Sequence, residues 1–278
     1  MICATRPLPG PAWNELDDVH IGIDPAADVL IVMNEPVPFD DLPALRLVAN
    51  FSVGYDRIDV EGCRRRGIAL TNTPGVLDAA TADLAMALLL AARRRVVEGD
   101  SIVRGGGWGL PGFGREVSGS TLTIVGMGRI GSAVARRAAG FDMRIVGVRS
   151  SEGDLDAALR EADAVSIHTP LNETTRGLLS RERLALLRDG ATLVNTARGA
   201  VVDEDALVAE LVSGRISAGL DVFAHEPQVP EALHDLPNVV LTPHIASATV
   251  ETRAAMTRVV VDNVLAHLRG EPLPTRVV

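Results

Sequence analysis

Three glycines, Gly126, Gly128 and Gly131, follow a β-branched run at residues 122–125 and open a helix-like stretch that reaches about Gly140. Each has a separate task in such a turn. Gly126 permits the tight reversal, Gly128 lets the backbone approach a pyrophosphate with no Cβ in the way, and Gly131 allows close packing of helix on sheet. The helix N-terminus, entered through Arg129 and Ile130, then faces the anion. With a strand before and a helix after, the spacing points to a bound dinucleotide. Eighteen positions beyond Gly131, where a carboxylate would accept from a ribose 2′-hydroxyl, stands Arg149, followed by Ser150. A guanidinium there pairs with a 2′-phosphate and the hydroxyl adds a hydrogen bond, so NADP(H) is expected in preference to NAD(H).

Further polar and charged residues gather at the ends of apolar runs: Thr196 and Arg198 in residues 194–203, Asp221 and Glu226 in residues 219–227, and His244 in residues 241–247. Together with residues 52–59 and the glycine turn, these segments resemble the D-isomer-specific 2-hydroxyacid dehydrogenase family. Residues 73–83 and 104–108 look most like its glyoxylate/hydroxypyruvate reductases. The resemblance implies hydride transfer between NAD(P)H and a small 2-oxo or 2-hydroxy acid. It assigns Arg198 the task of holding the substrate carboxylate and polarising the ketone. His244 matches the family's acid/base histidine, a role that suits a side chain titrating near neutrality. Glu226 matches the paired carboxylate, which orients the imidazole and favours its charged form. A carboxylate at that position, where formate dehydrogenases carry an amide, argues against formate oxidation. By the same resemblance, backbone N–H groups around Val53 and Gly54 grip the substrate carboxylate and Asp221 receives the nicotinamide carboxamide. Thr81, Thr169, Pro170, Thr175 and Thr196 line the cofactor. Of the other histidines, His168 ends a strand beside the cofactor cleft, whereas His20, His225, His234 and His267 read as ordinary surface or loop residues.

The elements that must position these groups are legible as alternating strands and helices. Runs at residues 122–125, 144–148, 164–167, 192–195, 218–221 and 239–241 read as a six-stranded parallel sheet. Continuous apolar strands need cover on both faces, which is the doubly wound α/β arrangement, with ligands outside the carboxyl ends of the strands. The expected fold is therefore a Rossmann dinucleotide-binding domain, residues 76–250. A second, smaller α/β substrate domain, flavodoxin-like by the resemblance, spans residues 1–75 and is completed by residues 251–278. In it, residues 29–33, 47–51 and 68–71 read as strands and residues 60–66 as a helix. Residues 9–28 leave little room for a further helix and strand, and residues 149–163 are too compact for a covering helix. Residues 78–104 read as one long helix with Leu84, Leu88 and Ala91 on one face, and residues 247–268 as another. The apolar helix 78–104, with the family resemblance, suggests a homodimer.

Composition narrows the functional classes. With 47% apolar and 23% charged residues the chain is globular rather than disordered. A net charge of −9 disfavours nucleic acid and anionic membrane surfaces as partners. The basic run Arg93 to Arg95 reads as a solvated helix C-terminus. The longest apolar run, residues 84–92, is far short of the ~20 residues that span a bilayer. Two cysteines, Cys3 and Cys63, form neither a disulfide framework nor a metal-ligand spacing, which suits a reducing cytoplasm and predicts no metal. A small-molecule enzyme is thus expected. The competing class on this fold is a nucleotide-sensing, corepressor-like binding protein without rapid turnover, against which the trio Arg198, Glu226 and His244 weighs.

Overall fold

Short apolar runs in both parts of the chain pair as parallel strands in a computed structural model that describes residues 1–149 and 154–278. The chain divides into two units, Met1–Leu77 with Ser247–Val278, and Asp78–Ala246.

In the first unit, β1 (Ile2–Ala4), β2 (Val19–Ile21), β3 (Val29–Val32), β4 (Leu47–Asn50) and β5 (Ala69–Thr71) lie in the order β2-β1-β3-β4-β5. Every pairing is parallel. This is the flavodoxin-like doubly wound order. The inner strands β3 and β4 are buried at every residue, as strands covered on both faces must be. Helix α1 (Val60–Arg66) starts where the Asp59 side chain accepts from the Gly62 amide at 2.7 Å, and it stops at Gly67, whose φ of 67° suits glycine. The C-terminal helix Val250–Leu268, capped by Thr249, buries Met256, Val260, Val261 and Val264.

Two expectations change in this unit. Residues 9–28 do hold further structure: a single 3-10 turn, Pro11–Glu15, and strand β2. Both β1 and β2 span three residues each and escape recognition because Ile-Cys-Ala and Val-His-Ile are too short to show a β-branched run. His267 is not an ordinary surface residue, since its Nε2 lies 2.8 Å from the Asp28 carboxylate.

In the second unit, α2 (Asp78–Arg94) and α3 (Val96–Arg104) precede β6 (Thr121–Val125), α4 (Arg129–Ala139), β7 (Arg144–Val148), α5 (Leu155–Glu161) and β8 (Ala164–Ile167). Then follow α6 (Arg181–Ala185), β9 (Thr192–Asn195), α7 (Glu204–Val212), β10 (Ser217–Leu220) and β11 (Val239–Leu241). Among the described residues the sheet has six strands, all parallel, in the order β11-β10-β9-β8-β6-β7. The winding reverses at β6, the place where doubly wound sheets bind ligands at their carboxyl ends. The glycine turn leaves this strand.

Three details depart from expectation here. The stretch 78–104 is two helices, broken at Arg95, which adopts a left-handed φ of 55°. Two residues before the break, Arg93 is 6% exposed rather than solvated. Its guanidinium turns inward to donate to the carbonyls of Glu116 and Asp163, both at 2.6 Å. The buried face of α2 accordingly runs through Ala82, Ala85, Met86, Leu89 and Ala92; of the expected stripe only Leu88 is fully buried. The compact stretch after Arg149 does contain a helix, α5, two turns long and capped by Asp154, which accepts from the Ala157 amide at 2.9 Å.

Candidate active site

In the second unit, the residues singled out from the sequence stand at the carboxyl ends of neighbouring strands. Their order across the sheet is the strand order itself: His244 after β11, Asp221 and Glu226 after β10, Thr196 and Arg198 after β9, Thr169 after β8, Gly126 after β6 and Arg149 after β7.

At the β9 end, buried Asn195 pinches the turn that carries Arg198. Its amide donates to the Arg198 carbonyl at 2.9 Å while its own side-chain carbonyl accepts from Ala197 N–H at 3.0 Å. Arg198 is half-buried, and its Nη1 donates to the Ala197 carbonyl at 2.7 Å. The Thr196 hydroxyl is buried without a hydrogen-bond partner among the described residues. An orphaned donor of this kind suits a bound polar ligand.

At the β10 end the chain holds two carboxylates with different tasks. Glu226 accepts from Phe223 N–H at 3.1 Å through Oε1, and its Oε2 lies 2.9 Å from His244 Nδ1. Glu204, at the start of α7, fixes the same loop by accepting from Ala224 N–H at 2.8 Å. Asp221 is fully buried. Its Oδ1 accepts from the Thr242 hydroxyl at 2.6 Å and from Ile245 N–H at 2.8 Å, and its Oδ2 accepts from Ala246 N–H at 2.9 Å. Burial pushes the Asp221 carboxyl up, and these donors pull against it. His244 itself sits at a φ of 54°, the left-handed region that costs a residue with a side chain about 1 kcal/mol or more.

The β8 and β6 ends form the cofactor half. The Gly126 turn, at a φ of 101°, leaves no space for a side chain, because a Cβ would come within 2.6 Å of the His168 carbonyl. A Cβ on Gly131 would drive into the Gly126 carbonyl, whereas one on Gly128 would meet nothing. Open space at Gly128, ahead of the α4 N-terminus, is the cradle that a pyrophosphate needs. Ile130 is half-buried in the first turn of α4, and Arg129 beside it lies 3.3 Å from Asp78. Thr169 is buried. Thr175 spends its hydroxyl inside the loop, donating to the exposed Pro170's carbonyl at 2.6 Å. Thr81 is buried in the first turn of α2. Arg149 is exposed directly after β7, and the expected partner Ser150 lies outside the described residues.

His168 is a different kind of histidine. Its ring bonds Ser166 Oγ at 2.7 Å, and burial lowers it to about 4, so it is neutral at physiological pH.

In the first unit, Val53 and Gly54 follow β4. Buried Asn50 donates to the Ser52 and Gly54 carbonyls, and Asn72 donates to the Val53 carbonyl at 2.9 Å. With these carbonyls occupied, the N–H groups of Val53 and Gly54 donate to nothing among the described residues.

A doubly wound sheet with a glycine turn at its switch point and a carboxylate-paired histidine on the same edge defines an NAD(P)-dependent dehydrogenase. Comparison with known proteins agrees. Residues 86–246 match the family model described as D-isomer specific 2-hydroxyacid dehydrogenase, NAD binding domain. A glyoxylate reductase of Pyrococcus furiosus is 50% identical over 260 residues, which cover 86% of this chain and 77% of that protein. Among solved structures, a protein from Thermus thermophilus matches with a TM-score of 0.92 and 44% identity, covering 100% of this chain and 99% of that one. An NADPH-dependent glyoxylate/hydroxypyruvate reductase from Sinorhizobium meliloti, in complex with NADP and malonate, matches with a TM-score of 0.87 and 35% identity, covering 99% and 96%. The chain belongs to the D-isomer-specific 2-hydroxyacid dehydrogenase family and is an oxidoreductase with an NAD-binding domain. None of its described helices is long and apolar enough to cross a membrane.

Proposed function

We propose that this chain reduces glyoxylate, hydroxypyruvate or a related small 2-oxo acid to the 2-hydroxy acid, with NADPH as the preferred donor. The observation that carries the reading is the 2.9 Å pairing of His244 with Glu226 on the sheet edge that also bears Arg198. When bound, the reduced nicotinamide supplies the hydride. Arg198 holds the substrate carboxylate and draws electron density from the ketone oxygen. His244, held at Nδ1 by Glu226, gives its Nε2 proton to that oxygen as the carbonyl carbon is reduced. Glu226 selects the nitrogen that faces the substrate and offsets the imidazolium charge. The N–H groups of Val53 and Gly54 are donors for a carboxylate.

Gly126, Gly128, Gly131, Arg129 and Ile130 would hold the pyrophosphate, and Thr81, Thr169, Pro170, Thr175 and Thr196 the rest of the cofactor. Asp221 would receive the nicotinamide carboxamide. Arg149, at the end of the strand beside β6, would meet the 2′-phosphate, in keeping with the NADPH-dependent relative.

Two copies of the chain would associate through α3 and the arm after it. Val96, Val97 and Val103 are exposed there, and Trp108, Leu110 and Phe113 are almost fully so. A lone monomer rarely leaves such a run bare.

The test is consumption of NADPH and of NADH against a panel of 2-oxo acids. Turnover that prefers NADPH and falls ~10² to 10⁴-fold in His244→Ala supports the reading. Absence of turnover with every acid would move the protein to the nucleotide-sensing class, and a monomer by light scattering would remove the dimer.

A further inference from the structure

We infer that Thr242 is a positioning residue for the acid/base histidine, acting through the buried carboxylate of Asp221. The inference rests on the reading of His244 as the acid/base group. Just past the end of β11, Thr242 extends the ladder by one residue, its N–H donating to the Leu220 carbonyl at 2.9 Å, and Pro243 then has no N–H to give. The chain must reverse at once, and His244 does so in the left-handed region. A residue with a side chain stays there only when its surroundings over-determine the conformation.

Here a single carboxylate supplies the constraint. Asp221 gathers the Thr242 hydroxyl, Ile245 N–H and Ala246 N–H, while its main-chain carbonyl accepts from His244 N–H at 2.9 Å. Two of these three donors to the carboxylate are backbone groups that nearly any sequence would provide. The third, from Thr242, is a side chain.

The hydroxyl has a second effect, on charge. Burial works against ionisation of Asp221, and the Thr242 hydrogen bond is the largest of the influences opposing it, ahead of the two amides and the charge of His244. The charge of His244 is itself among the influences that hold the Asp221 carboxyl down, so the carboxylate and the ring are coupled. Thr242 therefore bears both on how the ring is presented and on the charge of the carboxylate behind it, without touching the substrate.

The experiment is steady-state reduction of glyoxylate by the full chain and its Thr242→Val and Thr242→Ser variants, followed across pH. The valine variant keeps the shape and removes the donor. Its kcat should fall about 10-fold while KM for glyoxylate moves less than about 2-fold, the pattern of a displaced catalytic group rather than a lost binding contact. The alkaline limb of kcat should shift toward lower pH as Asp221 loses the donor that favours its charge. Serine should restore both. A valine variant with an unaltered rate and pH profile, or a serine variant as impaired as valine, overturns the inference. Should the valine chain not fold, Thr242→Ala carries the same expectations. If neither folds, the hydroxyl serves the fold rather than the histidine, and the inference falls. Loss of activity in His244→Gln beside a normal Thr242→Val sinks the positioning role alone, whereas full activity in His244→Gln sinks the acid/base reading beneath it.

Discussion

Two histidines follow parallel strands of one sheet and have been given opposite characters by their surroundings. His168, after β8, is largely enclosed, bonded to a serine hydroxyl and lowered to about 4. His244, after β11, has a side chain that is 47% exposed and paired with a carboxylate. The first stays neutral at physiological pH, and the second faces a carboxylate across 2.9 Å. Residue type and place at a strand end therefore do not identify an acid; on the function proposed above, the partner on the far ring nitrogen does.

The sharpest break of this comparison is exchange of roles by mutation. His244→Gln should lower kcat about 10³-fold, within the usual range for a lost general acid, while His168→Gln stays within about 3-fold of wild type in single-turnover hydride transfer. Comparable losses in both would show that His168 shares the proton chemistry, and the contrast would fail.

Next in size is a stability effect confined to His168. The unfolded ring takes up a proton near its ordinary value of 6.5, whereas the folded ring refuses one until about 4. Between those values the unfolded state binds more protons, so the stability contributed by the neutral ring is fully present above pH 6.5 and is lost as pH falls toward 4. The loss approaches about 3 kcal/mol. Urea unfolding at a series of pH values checks this, because His168→Gln should flatten that part of the curve. An equally steep acid loss in the variant would place the titrating group elsewhere.

How far the sequence discloses this contrast depends on what each feature is made of. Runs of β-branched residues marked β7, β8, β9 and β11 with their observed bounds, and the five site segments lay at strand ends as expected. The resemblance of those segments to a known family, rather than spacing alone, singled out Arg198, Glu226 and His244. The anchors behind them were not legible. Asn195, Asn50 and Thr242 are ordinary polar residues until the fold places a carbonyl or a carboxylate beside each. The nearest signal was position, since Asn50 and Asn195 each end an apolar run, where a polar residue must satisfy a turn. The inward turn of Arg93 depends on carbonyls at Glu116 and Asp163, which local periodicity does not report. Strands of three residues fall below the length at which alternation can be seen.

A smaller effect sharpens the His244 side. Glu226→Gln keeps the shape and a hydrogen-bonding oxygen for Nδ1–H but removes the negative charge. The expected result is a 10- to 100-fold lower kcat, about 1.4–2.7 kcal/mol, with the alkaline limb of the rate moved to lower pH because the imidazolium has lost its counter-charge. A fall in rate with no movement of the limb would mean that Glu226 acts by orientation alone.

The smallest expected effect tests the His168 side. Ser166 is buried on β8, and its hydroxyl faces the ring at 2.7 Å. Ser166→Ala leaves one ring nitrogen without its partner in an enclosed place, which costs about 1 kcal/mol and lowers Tm by roughly 2–4 °C in a chain of this size. With His244 as the acid, as proposed, the neutral ring takes no part in proton transfer, so kcat and its pH dependence should stay at the wild-type values even as Tm falls. The dissociation is the point of the measurement. If the alanine variant instead moved the pH profile, the Ser166–His168 pair would be coupled to the chemistry of His244. The two histidines would then form one relay across the sheet edge rather than two independent answers to different surroundings.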